Sequence, residues 1–344
     1  MSKRLPFLIL AGVLVTSLSV TGVILRWAWR SLHAPHTGWS GVETSVDLPR
    51  EVDAASMLDR LAQAGVIRHP SLARAYVRFQ GWDRDLKAGE YRFSRPASIL
   101  EVLDRLRRGD VLLHVVTVPE GLTIDEVARK VAEARLGAAD ALLAAFRDAS
   151  HLSAVDPGAS DLEGYLFPDT YSFPRGAEAS TIARAMVKRF SEVTGASYSE
   201  KAKAVGLTPR QAVTLASLIE SETGVPAERP VVSRVFHNRL SRGMLLQCDP
   251  TVLYALRKSG REVPRLLQAD LKVPSPWNTY VTPGLPPGPI CSPGEASLLA
   301  AVSPASGDEI YFVAAPGGGH RFSKDLASHE KAVRAWRLYG RSSR

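Results

Sequence analysis

Leu215-Ala216-Ser217-Leu218-Ile219-Glu220-Ser221-Glu222-Thr223 places two carboxylates at the end of an apolar, helix-patterned segment. Thr208 supplies an N-cap, Pro209 fits the first helical position, and Gly224 followed by Pro226 stops the helix. Leu215, Leu218 and Ile219 lie seven, four and three residues before Glu222 and share its face. Glu220 projects from another face, with Val213, Ala216 and Ser217. Glu222 is therefore expected on the core side, in the last turn, where the helix dipole disfavours negative charge. An acid pressed against apolar surface resists ionising, which suits it to donate a proton near neutral pH. A second reading makes Glu222 half of a structural ion pair with Arg229 or Arg234. The helix alone leaves both open.

Around this segment the chain organises into an anchor and two folded parts. Leu5–Leu25 is uncharged and long enough to span a bilayer core, and Trp27 and Trp29 behind it suit a membrane interface. No small-residue cleavage pattern follows, which favours an uncleaved single-pass anchor over a signal peptide. Lys3 and Arg4 before the span are balanced by Arg26 and Arg30 after it, so basic residues set no orientation. Residues 26–45 read as a linker. Residues 46–118 read as a small α+β subdomain: helices at 54–61 and 70–78, an alternating strand at 86–93, a helix at 98–107 and an apolar strand at 111–118. Thr123 and Glu126 form a capping box at the next helix.

Residues 119–205 read as a connecting region. Its loop Leu162–Phe173 interleaves Tyr165, Phe167, Tyr171 and Phe173 with Glu163 and Asp169. Such a loop either stacks on sugar rings or braces the core. Residues 206–340 form the densest stretch. A helix from Pro230 to Leu240 is followed by a strand-like segment from Gly243, by the Pro-rich loop Pro274–Tyr280 holding Asn278, Thr279 and Tyr280, and by a turn at Gly317–Gly319. The fold class is thus a membrane-anchored α+β protein.

Of 344 residues, 43 are Lys or Arg and 35 Asp or Glu, a formal charge of +8. The charges are scattered and no nucleic-acid module is present, so an acidic polymer or membrane surface is a better partner than nucleic acid. Cys248 and Cys291 lack metal-binding spacing and stand as two free thiols or one disulfide. His237, His320 and His329 lack ligand spacing too, and each reads as a local hydrogen-bonding residue; no metal site is expected. A G-x-S-x-G elbow is absent, and Gly317–Gly319 lacks the Lys-Ser/Thr of a phosphate loop. Carboxylate acid–base chemistry remains, with Glu222, Glu220, Glu228, Asp249 and Glu163 as candidates. Two-carboxylate hydrolysis needs carboxyls about 5 or about 6.5–9.5 Å apart across the bond. Glu220 and Glu222 diverge by about 200° around one helix. A single-carboxylate mechanism fits better.

The ordered pattern A-S-L-I-E-S-E-T, V-F-H-N-R-L, G-M-L-L-Q-C-D-P-T-V, W-N-T-Y and G-L-P-P-G-P-I resembles the endolytic murein transglycosylase (YceG-like) family. Leu86–Phe93 and Glu163–Tyr171 resemble its LysM-like subdomain and connecting region. The resemblance implies an inner-membrane enzyme with an extracytoplasmic catalytic part. It implies a lyase that cleaves the β-1,4 bond between N-acetylmuramic acid and N-acetylglucosamine and leaves a 1,6-anhydro end. It also implies Glu222 as the catalytic residue. Gln247, Asn278, Thr279 and Tyr280 are then expected to bind substrate, with Glu220 and Asp249 behind them. Partners are peptidoglycan strands, the membrane and, as further candidates, cell-wall synthases; no cofactor is expected. Ser221 stands where the family usually has Lys, Cys248 where it has Ser or Thr, and Trp277 where it has Tyr.

Overall fold

The computed structural model describes residues 4–342 and divides into two compact units, one of residues 4–114 with 174–176, the other of 115–173 with 177–342. In the first unit the helix α1 (Arg4–His33) is followed by β1 (Thr44–Leu48), α2 (Ala54–Gln63), α3 (Pro70–Gln80), β2 (Gly89–Phe93) and α4 (Ile99–Arg108). From Ile9 onward α1 is long and apolar enough to cross a membrane, and none of its apolar window is buried in protein. The segment read as a linker is helical up to His33, and the residues after it are tied down. Leu32 packs on the first core, His36 N–H donates to Ala97 O at 3.0 Å, and Gly38 N–H donates to Gly65 O at 2.9 Å. β1 and β2 pair antiparallel with Val46 opposite Tyr91, and side chains of α2, α3 and α4 close the core over them. The Ser98 capping box starts α4, and Gly109 in the left-handed region ends it.

The second unit follows from β3 (Leu113–Thr117) through α5 (Ile124–Glu133) and α6 (Ala139–Phe146) to β4 (Thr170–Pro174), which pairs with β3. Then come α7 (Ala179–Thr194), α8 (Tyr198–Ala204), α9 (Pro209–Glu222), α10 (Arg229–Ser241), α11 (Asp249–Lys258) and α12 (Glu295–Val302). The hairpin of β5 (Tyr311–Ala314) and β6 (His320–Ser323) and the helix α13 (Leu326–Ser342) close the chain. Residues 119–205 and 206–340 share one apolar core: Phe146, Leu162 and Phe190 belong to the same buried cluster as Leu215, Leu218, Phe236 and Leu298. The aromatic loop is a brace. Tyr165 is buried with its hydroxyl donating to Asp156 at 2.6 Å, Phe167 and Phe173 are buried, and Tyr171 donates to Phe167 O at 2.6 Å. Gly164 sits in the left-handed region (φ +84°), where an added Cβ would collide with the Pro289 ring. Gly164→Ala is expected to cost about 2–3 kcal/mol, through overpacking and backbone strain together; chemical denaturation would measure it.

The expected strand from Gly243 is absent. Leu246 and Cys248 are buried on either side of exposed Gln247, which mimics strand alternation, but no strand lies alongside. Gln247 instead adopts a positive φ of 52°, and its N–H donates to Thr279 O at 3.1 Å. The glycine turn does join the β5–β6 hairpin, with Gly317, Gly318 and Gly319 all at positive φ.

Candidate active site

Helix α9 starts with a capping box in which Gln211 N–H donates to Thr208 Oγ1 at 3.2 Å and Thr208 N–H to Gln211 Oε1 at 2.8 Å. From Ala212 to Ile219 every residue is buried, so the helix is enclosed around its whole circumference. Face alone therefore does not separate the two glutamates, and Glu220 is the more enclosed, with a side chain only 7% exposed. What separates them is the company each keeps. Glu220 accepts from Arg229 Nη2 at 3.0 Å and from Gly294 N–H at 3.0 Å. Arg229 also reaches Glu120 at 3.3 Å and Ser297 Oγ at 3.0 Å. Glu220 thus fastens α9 to the start of α12. Arg234 pairs with Glu309 at 3.0 Å. Both arginines proposed as ion-pair partners for Glu222 are engaged elsewhere.

Glu222 is partly exposed, and the Cys248 thiol, Asp249, His320 and Arg239 act on its carboxyl. Desolvation pushes its carboxyl up to about 7, and Asp249 pushes the same way. A hydrogen bond from Cys248 and the positive fields of His320 and Arg239 hold it from going higher. Such a group takes up and releases its proton in the neutral range while remaining partly exposed.

Asp249 accepts a hydrogen bond from Tyr280 Oη. Desolvation, then this bond, pushes the Tyr280 phenol upward, so it stays a proton donor. Arg239 is buried and donates to the carbonyls of Ile310 (2.7 Å), Leu246 (2.9 Å) and Leu245 (3.2 Å) and to Gln247 Oε1 (3.3 Å). It thereby fixes the Gln247 loop, whose left-handed backbone a non-glycine residue adopts only when its surroundings impose it.

Asn278 and Thr279 were expected at the substrate. Both are buried, and their polar groups are spent on protein: Asn278 Nδ2 donates to Leu271 O (3.0 Å) and Val273 O (2.8 Å), and its Oδ1 accepts from Tyr280 N–H (2.9 Å). Thr279 Oγ1 accepts from Cys248 N–H at 3.0 Å and lies 2.9 Å from Thr251 Oγ1. They hold Tyr280 and Cys248 in place, while Gln247 and Asp249 are exposed and Tyr280 and Glu222 partly exposed.

The other candidates are placed elsewhere. Glu163 is buried with Ile124 N–H at 3.1 Å and Tyr254 Oη at 3.2 Å, and burial pushes its carboxyl to about 8. It borders a cavity of about 890 Å³ walled by residues of α5, α6 and α11, away from the Glu222 cluster. Glu228 binds His320. His237 Nε2–H donates to Ala301 O at 2.9 Å, and His329 stacks on Tyr311. Both cysteines are free thiols; Cys291 lies 3.3 Å from the Ser221 hydroxyl, so Ser221 turns to Cys291 and to Ser217 O. Among the described residues no group of three or more His, Cys, Asp or Glu is placed to hold a metal ion. Sequence reading missed that His320, Cys248 and Arg239 act on the Glu222 carboxyl. The signal for Arg239 was its place in the V-F-H-N-R-L run; nothing local marked His320.

The model of the YceG-like family matches residues 46–335, a span that holds every residue of this site. The chain belongs to the YceG-like family. A Bacillus subtilis (strain 168) protein named endolytic murein transglycosylase is 30% identical over 319 residues, covering 88% of this chain and 87% of that protein. The Streptococcus pneumoniae protein of the same name (serotype 2, strain D39) is 30% identical over 318 residues. This chain spans 57% of that longer relative. A crystal structure of a YceG-like protein from Listeria monocytogenes superposes with a TM-score of 0.58 at 30% identity, covering 85% of this chain and 99% of that one. The mixed α+β architecture is thus the family's own.

Proposed function

We propose that this protein is a membrane-anchored peptidoglycan lytic transglycosylase that cleaves within glycan strands. The observation that carries the proposal is Glu222. In a chain whose relatives are named endolytic murein transglycosylases, it is a carboxyl that exchanges its proton near neutrality, with no cation paired to it among the described residues.

Glu222 enters protonated and gives its proton to the glycosidic oxygen as the muramoyl C1–O bond breaks. The resulting carboxylate takes the proton of the C6 hydroxyl as that oxygen bonds to C1, closing the 1,6-anhydro ring. One group acts as acid and then base, water is not consumed, and the proton count balances. The shift of Glu222 toward neutrality suits both halves of this cycle. Tyr280, oriented by Asp249, and Gln247, fixed by Arg239, would donate to acetamido and ring oxygens; Asn278 and Thr279 serve by holding that loop. Ordinary hydrolysis is the second reading, because Asp249 is a carboxylate whose field reaches Glu222. The first unit, read as LysM-like, would hold the glycan strand, and α1 would anchor the enzyme with its catalytic unit outside the cytoplasm.

Mass spectrometry of sacculi digested by the full-length protein tests this directly. Anhydro ends are expected; reducing ends would mean hydrolysis, and no new ends a binding scaffold for cell-wall synthases. The pH profile follows from the same residue. Glu222 must start protonated, so kcat/KM is expected to fall about tenfold per pH unit above about pH 7.

A further inference from the structure

The cavity of about 890 Å³ among α5, α6 and α11 is not used by the acid chemistry. Arg147 meets Asp125 at 3.6 Å and Arg257 meets Glu126 at 3.4 Å, so the end of α6 and α11 are both tied to α5. The cavity shares Glu163, Tyr254 and Lys258 with a smaller one of about 130 Å³. Lys258 Nζ stands 5.5 Å from the centre of the Tyr254 ring and 4.9 Å from that of Trp277. The two rings hold this cation in place, and no carboxylate pairs with it among the described residues. Arg129, Asp140 and Glu262 on the same walls lack an oppositely charged side chain as well. Trp277 borders the smaller cavity, and its indole N–H is shielded from water without a partner among the described residues, a state native structures rarely leave uncompleted. The walls thus keep two cations and two anions unpaired beside a buried donor. That set suits a peptide that carries both carboxylates and an ammonium group.

Helix α11 links this cavity to the acid. Cys248, the residue before it, hydrogen-bonds the Glu222 carboxyl, and Lys258 is its last residue. Its 10 residues span about 15 Å. The Pro-rich loop makes the same link, with Trp277 three residues before Tyr280. In peptidoglycan a peptide hangs from the lactyl group of the muramoyl residue, the sugar whose C1 is attacked. Five extended residues reach up to about 17 Å, enough to pass from that sugar to the cavity. We propose that this cavity is a subsite for the peptide stem of the muramoyl residue, with Lys258 and Arg129 taking its carboxylates and Asp140 and Glu262 its ammonium group. The proposal rests on Glu222 being the acid of a peptidoglycan-cleaving enzyme and names the part of the substrate that this enzyme selects.

The test gives the full-length protein in nanodiscs two substrates: glycan strands with their peptides, and the same strands stripped by an N-acetylmuramoyl-L-alanine amidase. Anhydro ends are counted for both. KM for the peptide-bearing strands is expected to be lower by about tenfold or more, the worth of one charge-assisted hydrogen bond. Lys258→Gln with Arg129→Gln should bring the two KM values together; both side chains are exposed, so the fold should stand. The comparison in the parent needs no variant and decides by itself if the double variant fails to fold. Equal KM values in the parent, or a preference kept by the folded double variant, would overturn the subsite while leaving Glu222 as the acid. No anhydro ends from either substrate would remove the enzyme reading, and the subsite with it.

Discussion

Replacing Glu222 by Gln is expected to abolish cleavage, with a loss of about 10³-fold or more in kcat, because one group supplies both the acid and the base. The count of anhydro ends released from sacculi reads this loss. Stability should not fall with it. The Glu222 carboxyl is raised in the folded protein from 4.5 to about 7, so folding favours its protonated form. Its contribution to stability is full below about pH 4.5 and is lost as pH rises through about 7. A neutral amide in its place is therefore neutral at acid pH and stabilising above neutrality, by on the order of 1 kcal/mol. An inactive but well-folded variant, more heat-resistant than the parent at pH 8, is the expected result. Full activity in this variant would remove Glu222 from the mechanism. A fall in stability at pH 8 would instead give it a structural role.

Arg229→Ala is expected to be the most damaging single change to the fold. Arg229 is buried and binds Glu220, Glu120 and Ser297, joining α9 to α12 and to the loop before α5. Its removal leaves the enclosed Glu220 carboxylate without a cation, at a cost of about 3–5 kcal/mol. Activity should fall as well, because Glu222 is the last residue of the helix that loses its tether. Urea denaturation of Arg229→Ala and of the double variant Arg229→Met with Glu220→Gln checks the cause. The double variant removes both charges together and should recover most of the loss. Equal damage in both would show that shape, not charge, holds this junction.

These two glutamates show how far local sequence reaches. The helix that carries them was legible end to end: the Thr208 cap, Pro209 at its start and the stop after Glu222 are written in adjacent residues. The same holds for the capping box at Thr123 and for the glycine hairpin. The roles of Glu220 and Glu222 were not separable by helical face, since α9 is buried on all sides. They were separated by Arg229, nine residues on, choosing Glu220. Gln247 misled for a related reason. Alternating burial at Leu246 and Cys248 imitates a strand, and only the distant Thr279 carbonyl explains the turn. Asn278 and Thr279 look like substrate ligands on a rigid loop, yet their groups point inward to carbonyls and hydroxyls that sequence does not place.

The sequence by itself determined the apolar N-terminal helix, the α+β class and the boundaries of most helices. Those depend on caps, periodicity and run length, which act over a few residues. Tertiary structure alone decided which cation pairs with which carboxylate, which polar side chains are exhausted by the protein, and that His320 binds Glu228 from a distant hairpin. Desolvation and charge act through space, and their strength is set by neighbours that only folding brings together.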